Sequence, residues 1–423
     1  MTARLVAGPL GSRAFACAIF VCFAACAGPR WTASGLLLDA DKLVADAIGD
    51  PPRDEQFDPS LVPTIAAPTS LRPCCAFGMD LHLRYIGVPI PGYTINNITD
   101  MPTLGQHEYD MGTLSLQSNG HLIGMEQNGI VYTCRGGFVD IAHVRDNADM
   151  TFYLGTHLLA ALPKTLSLDF ATTDADEHVE VSVPPALLRA HGRFFIASAV
   201  ATWLAYQQGV WHEIAQWWGY RFNAGYSEQS SAFSPEDFYS NALGARLGGL
   251  SIANKVFRTR DDYNRGMDAW LRAALEALVI VPTDTARAAM HAADGAWWDS
   301  HFDIPDNRAV PRRRFDVDSP LRPWRLRDLA DPSRVPAIVG ATCDNAISRP
   351  ITIPDMIDGV AISSFASMTW KPHEWANAAF PFTTVGDRTV TTRDLPRLVL
   401  RSREAMVPTF GECFDNPSAS CTR

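Results

Sequence analysis

Lysine is scarce. Only four of the 36 basic residues in this 423-residue chain are lysine, the rest arginine. Charged residues of both signs together reach 19 %, too few for a solvated disordered polymer. Positive charge is the scarcer sign, with 36 basic against 46 acidic side chains and a formal charge of −10. That deficit excludes nucleic acid as an expected partner, because phosphates are met by a basic face. Long hydrophobic runs are missing as well. The best interior stretch, FFIASAVATWLAY from Phe194 to Tyr206, has 13 residues, whereas a spanning helix needs about 20. It is expected as a buried core helix. No CxxC spacing occurs, which removes a zinc ribbon, and there is no internal repeat or low-complexity tract.

What is present is a core-forming composition, 47 % hydrophobic over a length that can bury it. The N-terminus reads as an export signal: Arg4 and Arg13, then the apolar run Ala14 to Ala25, then small residues leading into Cys26. Ala24-Ala25-Cys26 is similar to the end of a bacterial lipobox, with Phe23 where leucine is usual. Cleavage after Ala27 is the competing reading. Residues 1–27 are therefore expected as a signal peptide. The mature protein is expected in the periplasm or as an outer-membrane lipoprotein, touching membrane only through acyl chains on Cys26. Residues 28–70, rich in Pro, Asp and Ala, read as a tether. Beyond the signal, Cys74, Cys75, Cys134, Cys343, Cys413 and Cys421 remain, an even number in an oxidising compartment. Cys413 and Cys421 are expected to close a small loop.

The pattern along the chain is α+β: a helix-rich centre with short antiparallel strands and hairpins in a single main domain. Residues 71–300 would carry the site and 301–423 a C-terminal elaboration of the same domain. LHLRYIGVPI has strand composition and PGYTINNITDMP supplies turns. A helix should follow Gly137, because positions 140, 143, 147, 150, 154 and 157 alternate spacings of three and four. TLSLDF and HVEVSV predict a hairpin around ATTDADE. Leu187 to Trp218 reads as helix with a break at Gly209. SAFSPEDFYSNALGARLG opens another, with Ser234 as N-cap, Pro235 first, and Glu236 and Asp237 suited to the positive end of the dipole. Asp261 to Val279 is amphipathic. The last hundred residues mix short strands (VAISSFASMTW) with a helix opening at TTRDLPRLVLRSREAM.

Two segments bring histidine and carboxylate together. Trp211-His212-Glu213-Ile214-Ala215-Gln216 is one residue away from HExxH, with Gln216 where the second zinc-binding histidine would stand. His212 remains a candidate ligand and Glu213 a candidate general base, with Glu236 available at the start of the next helix. In Asp140-Ile141-Ala142-His143-Val144-Arg145-Asp146-Asn147-Ala148-Asp149, the residues Asp140, His143 and Asn147 share one helical face, and Asp146 and Asp149 share a neighbouring one. An i, i+3 Asp–His pair presents a metal ligand or orients a base. The plainer reading of both is a helix cap and a structural hydrogen-bonded pair. Cys134, nine residues before His143, is a third candidate, as the nucleophile of a papain-like Cys/His hydrolase. His107-Glu108 repeats the dipeptide in a loop, where a histidine is usually solvated or at most an added ligand. His157, His178, His191 and His373 are expected to be structural.

RPCCAFG, LGQHEYD, NGIVYTCRGGFVDIAHVRDNAD, WHEIAQWWGY and SAFSPEDFYSNALGARLG resemble the signature blocks of an uncharacterised bacterial family, domain of unknown function 4056, over about residues 70 to 250. The resemblance implies bacterial envelope proteins, often lipoproteins, without an assigned activity or catalytic residue. The expected function therefore stands on residue chemistry. It is a metal-dependent hydrolase with His143, His212, Glu236 and Asp140 around zinc or another divalent metal, and Glu213 as base. The alternative is a non-catalytic envelope lipoprotein that binds a partner or glycan through exposed tryptophans.

Overall fold

A computed structural model describes residues 57–69, 71–72, 76–111, 126–221, 227–255, 258–376, 379–382 and 388–419. The signal, most of the tether, Cys74, Cys75 and Cys421 lie outside them. Residues 57–69 lie against the core. Ile65 is buried, the Phe57 ring meets that of Phe194 edge-on at 5.0 Å, and the Tyr109 hydroxyl donates to the Ala66 carbonyl at 2.6 Å. No helix among the described residues is long and apolar enough to cross a membrane.

The α+β class is borne out. Three helices form the centre: α1 (Ile141–Ala161), α2 (Pro185–Trp217) and α3 (Asp237–Ala253). Two successive turns of contact between α1 and α3 are set by small residues. A Cβ on Gly244 would lie 2.1 Å from the Val144 carbonyl oxygen, and one on Gly248 would lie 2.5 Å from that of Ala148. The two backbones therefore touch, and because the paired numbers rise together the helices run parallel. Helix α2 runs against both. The Ser198 hydroxyl donates to the Gly249 carbonyl and that of Thr202 to Ala245, while Gly209 lies beside Asn241 and Asn147. The N-termini of α1 and α3 thus come together beside the C-terminal half of α2, and their dipoles favour carboxylates there.

Around this layer run α4 (Arg260–Ala277), α5 (Thr283–Ala293), α6 (Ala337–Cys343) and α7 (Leu395–Phe410). Strands β1 (Leu81–Tyr85) and β2 (Val88–Ile95) form one antiparallel hairpin, and β3 (Ile130–Thr133) and β4 (Gly137–Asp140) another that feeds directly into α1. Strands β5 (Leu166–Ala171) and β6 (Ala175–Val181) make the expected hairpin, in register Ser167 to Glu180. After the two-residue strands β7 (Met356–Ile357) and β8 (Val360–Ala361), β9 (Ala366–Pro372) and β10 (Val390–Thr391) complete a four-stranded antiparallel sheet in the order β10-β9-β6-β5. The C-terminal residues are therefore part of the same sheet, and Trp370 of β9 stacks on Trp211 of α2 at 5.5 Å. A second core, containing Trp297, Trp298 and the α5–α6 region, lies against the β3–β4 hairpin.

Several local expectations are corrected. Gly209 does not break α2: the backbone stays helical there, and the missing side chain admits Asn241 and Asn147, which a Cβ would approach to 2.9 and 3.0 Å. The interruption is at Gly192, whose φ of 72° is left-handed backbone that glycine adopts without a Cβ penalty. Helix α3 starts at Asp237, after Pro235, because the Ser234 hydroxyl donates back to the Ser231 carbonyl. The Asp237 carboxylate instead accepts from the Ser234 amide at 2.6 Å. Pro91 to Ile95, read as turn, belongs to β2, and the β5–β6 turn is shorter than ATTDADE because Asp176 and Glu177 are already paired in β6.

Candidate metal centre

Asp140 ends β4 and caps α1, its Oδ1 accepting from the Ala142 amide at 2.7 Å while its own amide donates to Ser240 Oγ at 2.9 Å. One turn on, the His143 ring is fixed by Asn241, with Nδ1 2.8 Å from Asn241 Oδ1. Asn147 braces that amide by donating to the same oxygen at 2.7 Å. From α2 comes Glu213, whose Oε2 accepts from the Phe233 amide at 2.7 Å, and from α3 comes Asp237, held by the Ser234 amide. Each carboxylate thus has one oxygen tied to the main chain. Its other oxygen faces the imidazole, Glu213 Oε1 3.7 Å from Nδ1 and Asp237 Oδ1 3.7 Å from Nε2.

His143, Glu213 and Asp237 each offer one ligand atom, all within 4.8 Å of one another and all buried. Ligands about 2.1 Å from one tetrahedral ion lie about 3.4 Å apart, so shifts of about 1 Å close this group on a cation. One nitrogen and two oxygens suit zinc, manganese or iron. The group can bind a metal; its identity belongs to the proposal below.

The surroundings are short of positive charge. Asp140, Glu213, Glu236 and Asp237 are all at most 2 % exposed. The nearby cation is the buried Arg313, whose guanidinium is pushed down to about 10 by burial, partly opposed by Asp237, Glu213 and Glu236. Its bonds go to main-chain carbonyls, those of Gln229, Ser230, Ala232 and Asn307. Burial, and then the neighbouring Glu213 and Glu236 charges, hold Asp237 well above the usual carboxylate range. Glu236 is likewise raised, by burial and then by Asp140. Its own amide aside, neither of its carboxylate oxygens has a hydrogen-bond partner.

His212 lies one layer out, its ring 6.4 Å from that of His143. Gln216, where HExxH would place a second histidine, spans His212 Nε2 and Glu228 Oε2 at 3.0 Å each. Asp174 Oδ2 stands 3.5 Å from Nδ1. Burial alone would lower this imidazole, but Asp174, followed by Glu228 and Glu213, raises it to about 9. Both histidines line a cavity of about 30 Å³, whose walls include Pro68, Leu71, Asp146 and Gln208. That volume admits one or two water-sized groups.

Of the expected residues, His143 and Glu213 meet directly, with Asp140 and Glu236 behind them, while His212 belongs to the cavity wall with Asp174. Asp237, read as a helix-dipole residue, is the candidate ligand that the sequence reading missed. Its signal was the one-turn spacing to Asn241, which fixes His143. Arg313, some hundred residues downstream, gave none.

Cys134 is not a nucleophile. It is bonded to Cys343, tying the β3–β4 turn to α6 across 209 residues, so the Cys134/His143 hydrolase is excluded. Cys413 is also disulfide-bonded, and its expected partner Cys421 lies outside the described residues. His107 is not solvated. It is 2 % exposed and lies 3.0 Å from both Glu126 and Asp149. His178 and His191 do find carboxylates, Asp169 across the hairpin and Asp358, each at 2.7 Å. Most of the described tryptophans are core residues: Trp211, Trp297, Trp298 and Trp370 are at most 2 % exposed and Trp217 is 7 %, while Trp218 and Trp375 are half-buried.

The fold and its centre define an α+β protein with a buried His/Glu/Asp group at the meeting point of three helices. A family model described as protein of unknown function, DUF4056, matches residues 62–327. The chain belongs to that family. No curated protein and no solved structure matches it.

Proposed function

We propose that this protein is a metal-dependent hydrolase of the bacterial envelope, with His143, Glu213 and Asp237 as the metal ligands. The observation that carries the reading is the convergence of those three buried side chains from three helices, with their donor atoms within 4.8 Å of one another. A divalent ion there supplies Lewis acidity to a substrate oxygen. Asn241 and Asn147 orient His143, and the Phe233 and Ser234 amides orient the two carboxylates, the outer-shell support that a ligand set needs. With Glu213 in the ligand set, the proton-handling role moves to His212, held by Asp174 on the wall of the same cavity. Zinc is the ion favoured by the mixed nitrogen and oxygen donors.

The envelope assignment rests on the Arg4 to Cys26 pattern, and the Cys134–Cys343 disulfide is compatible with an oxidising compartment. Buried tryptophans speak against the aromatic binding surface of the alternative. The test is metal content by mass spectrometry on protein purified without chelator or histidine tag. At least one ion per chain is expected in the wild type, lost in His143→Ala and in Asp237→Asn. A chelator-sensitive activity against chromogenic esters and phosphoesters is expected to disappear in Glu213→Gln. Folded wild-type protein free of metal after dialysis against zinc and manganese refutes the reading. Fractionation of cells expressing wild type and Cys26→Ser tests the address.

A further inference from the structure

We propose that the centre takes a second divalent cation, held by Glu236 and Asp140 beside the one at His143, Glu213 and Asp237. The inference rests on the reading of the first ion. Its starting point is Glu236, a carboxylate 2 % exposed whose two oxygens are both buried and meet no hydrogen-bond donor of another residue, its own amide aside. Buried carboxylates are normally paired or coordinate metals. Protonation would remove the charge of Glu236 but would leave a hydroxyl and a carbonyl unmet by any other residue. A cation satisfies both oxygens.

Charge points the same way. Asp140, Glu213, Glu236 and Asp237 carry four negative charges at full ionisation, against the Arg313 guanidinium; the His212 imidazolium, one layer out, is met by Asp174. Arg313 gives its N–H bonds to main-chain carbonyls, so it supplies field and no hydrogen bond to Glu236. One divalent ion at His143 leaves one of those charges over, and Glu236 is the acid whose oxygens no other residue meets. Ser240 ties Asp140 to Glu236, its Oγ accepting from the Asp140 amide at 2.9 Å and donating to the Glu236 carbonyl at 2.8 Å, and the α1 cap fixes Asp140 through Oδ1. Glu213 adds its charge to both Glu236 and Asp237. The second set is all oxygen and contributes two carboxylates, the donor type of magnesium and manganese, which complete their shells with water.

The test is calorimetric titration of chelator-stripped full chain with Mn²⁺, with bound metal counted by mass spectrometry. Two ions per chain are expected for the wild type, one for Glu236→Gln, and at most one for His143→Ala. One ion in the wild type, or two in Glu236→Gln, overturns the second site and leaves the first standing. No ion in the wild type overturns both. Should Glu236→Gln fail to fold, electron paramagnetic resonance of the wild type decides alone. Two manganese ions about 3.5–4 Å apart are exchange-coupled and give a broadened multiline spectrum. The six-line signal of isolated Mn²⁺ at two equivalents refutes the pair.

Discussion

Arg72→Met tests the ionic network that fastens residues 57–72 to α1. The Arg72 guanidinium is 1 % exposed. Its Nε and Nη2 donate to Glu126 at 2.6 and 2.9 Å, and Nη1 donates to Asp146 at 2.8 Å and Asp149 at 2.9 Å. Nη2 also donates to the Glu108 carbonyl at 2.9 Å. Methionine keeps the aliphatic stem but removes every one of these bonds. Three carboxylates are left with Arg145, 3.7 Å from Glu126, and His107. Removing one partner of a buried pair costs about 3–5 kcal/mol, because the other charge stays desolvated. At an unfolding entropy of ~2 cal/mol/K per residue over 423 residues, a loss of ~4 kcal/mol lowers Tm by about 5 °C. The deficit should depend on pH with a definite sign. Burial alone would push Glu126 and Asp149 up, but Arg72 beside them holds both below the ordinary carboxylate range. Their stabilising contribution is therefore present above the unfolded carboxylate pKa of about 4 and lost as pH falls. The wild-type advantage over Arg72→Met should hold from pH 7.5 to pH 5 and shrink from pH 4.5 to pH 2.5, measured by urea unfolding followed by circular dichroism. A Tm within 1 °C of wild type at neutral pH, or a deficit that does not change with pH, refutes this account.

Three other substitutions address the core and the site. Gly244→Ala puts a methyl group against the Val144 carbonyl, which a Cβ would approach to 2.1 Å. Overpacking of about 1–3 kcal/mol is expected, together with weaker metal binding as Asp237 is carried away from His143; unchanged affinity in a titration would argue against the helix contact setting the site. With metal stripped, Asp174→Asn should remove much of a pH-dependent stability. His212 is raised to about 9, so its contribution is full below the unfolded pKa of about 6.5 and is lost as pH rises through 9, giving a wild-type advantage of ~2 kcal/mol at pH 6. Parallel urea midpoints for wild type and variant across that window would contradict the pairing. Cys134→Ser should cost about 2–5 kcal/mol by opening a 209-residue loop while leaving metal content and any hydrolysis intact. Loss of activity in folded Cys134→Ser would revive the thiol as a participant.

Much of the centre was legible because it lies on one helix. The Asp140, His143 and Asn147 stripe follows from three- and four-residue spacing alone, and the structure turns that face towards α3 and the Asp146 and Asp149 face towards Arg72. What lay beyond reach was set by packing between segments. A glycine within an apolar helix reads the same whether it breaks the helix, as Gly192 does, or admits a neighbour, as Gly209 does. Asp237 looks like any acidic residue in a first turn until α1 and α3 are parallel and in contact. Gln216 removed HExxH from consideration as a zinc pair, but its bond to His212 depends on Glu228 in a separate turn. Cys134 finds its partner only because α6 crosses the β3–β4 turn, and spacing along the chain carries no record of that crossing.

The two faces of α1 also differ in a way that separates structure from chemistry. On one, Glu126, Asp146 and Asp149 meet Arg72, Arg145 and His107, whose imidazole is raised toward its charged form by Asp149 and Glu126 despite burial. Three acids face three bases, with hydrogen bonds between them, and the cluster closes on itself as a fastening. On the other, four carboxylates face Arg313 with His143, and one acid has no partner in another residue for either oxygen. Such an arrangement destabilises the empty fold, and a chain that needed only a fastening would be better served by apolar side chains of the same volume. The balanced face explains how α1 is held. The unbalanced face is accounted for only by something that arrives with positive charge, which is why Glu236→Gln should raise the Tm of the chelator-stripped protein while lowering the further rise that Mn²⁺ produces. A Glu236→Gln protein less stable than wild type without metal would mean that the glutamate already has its partner within the fold.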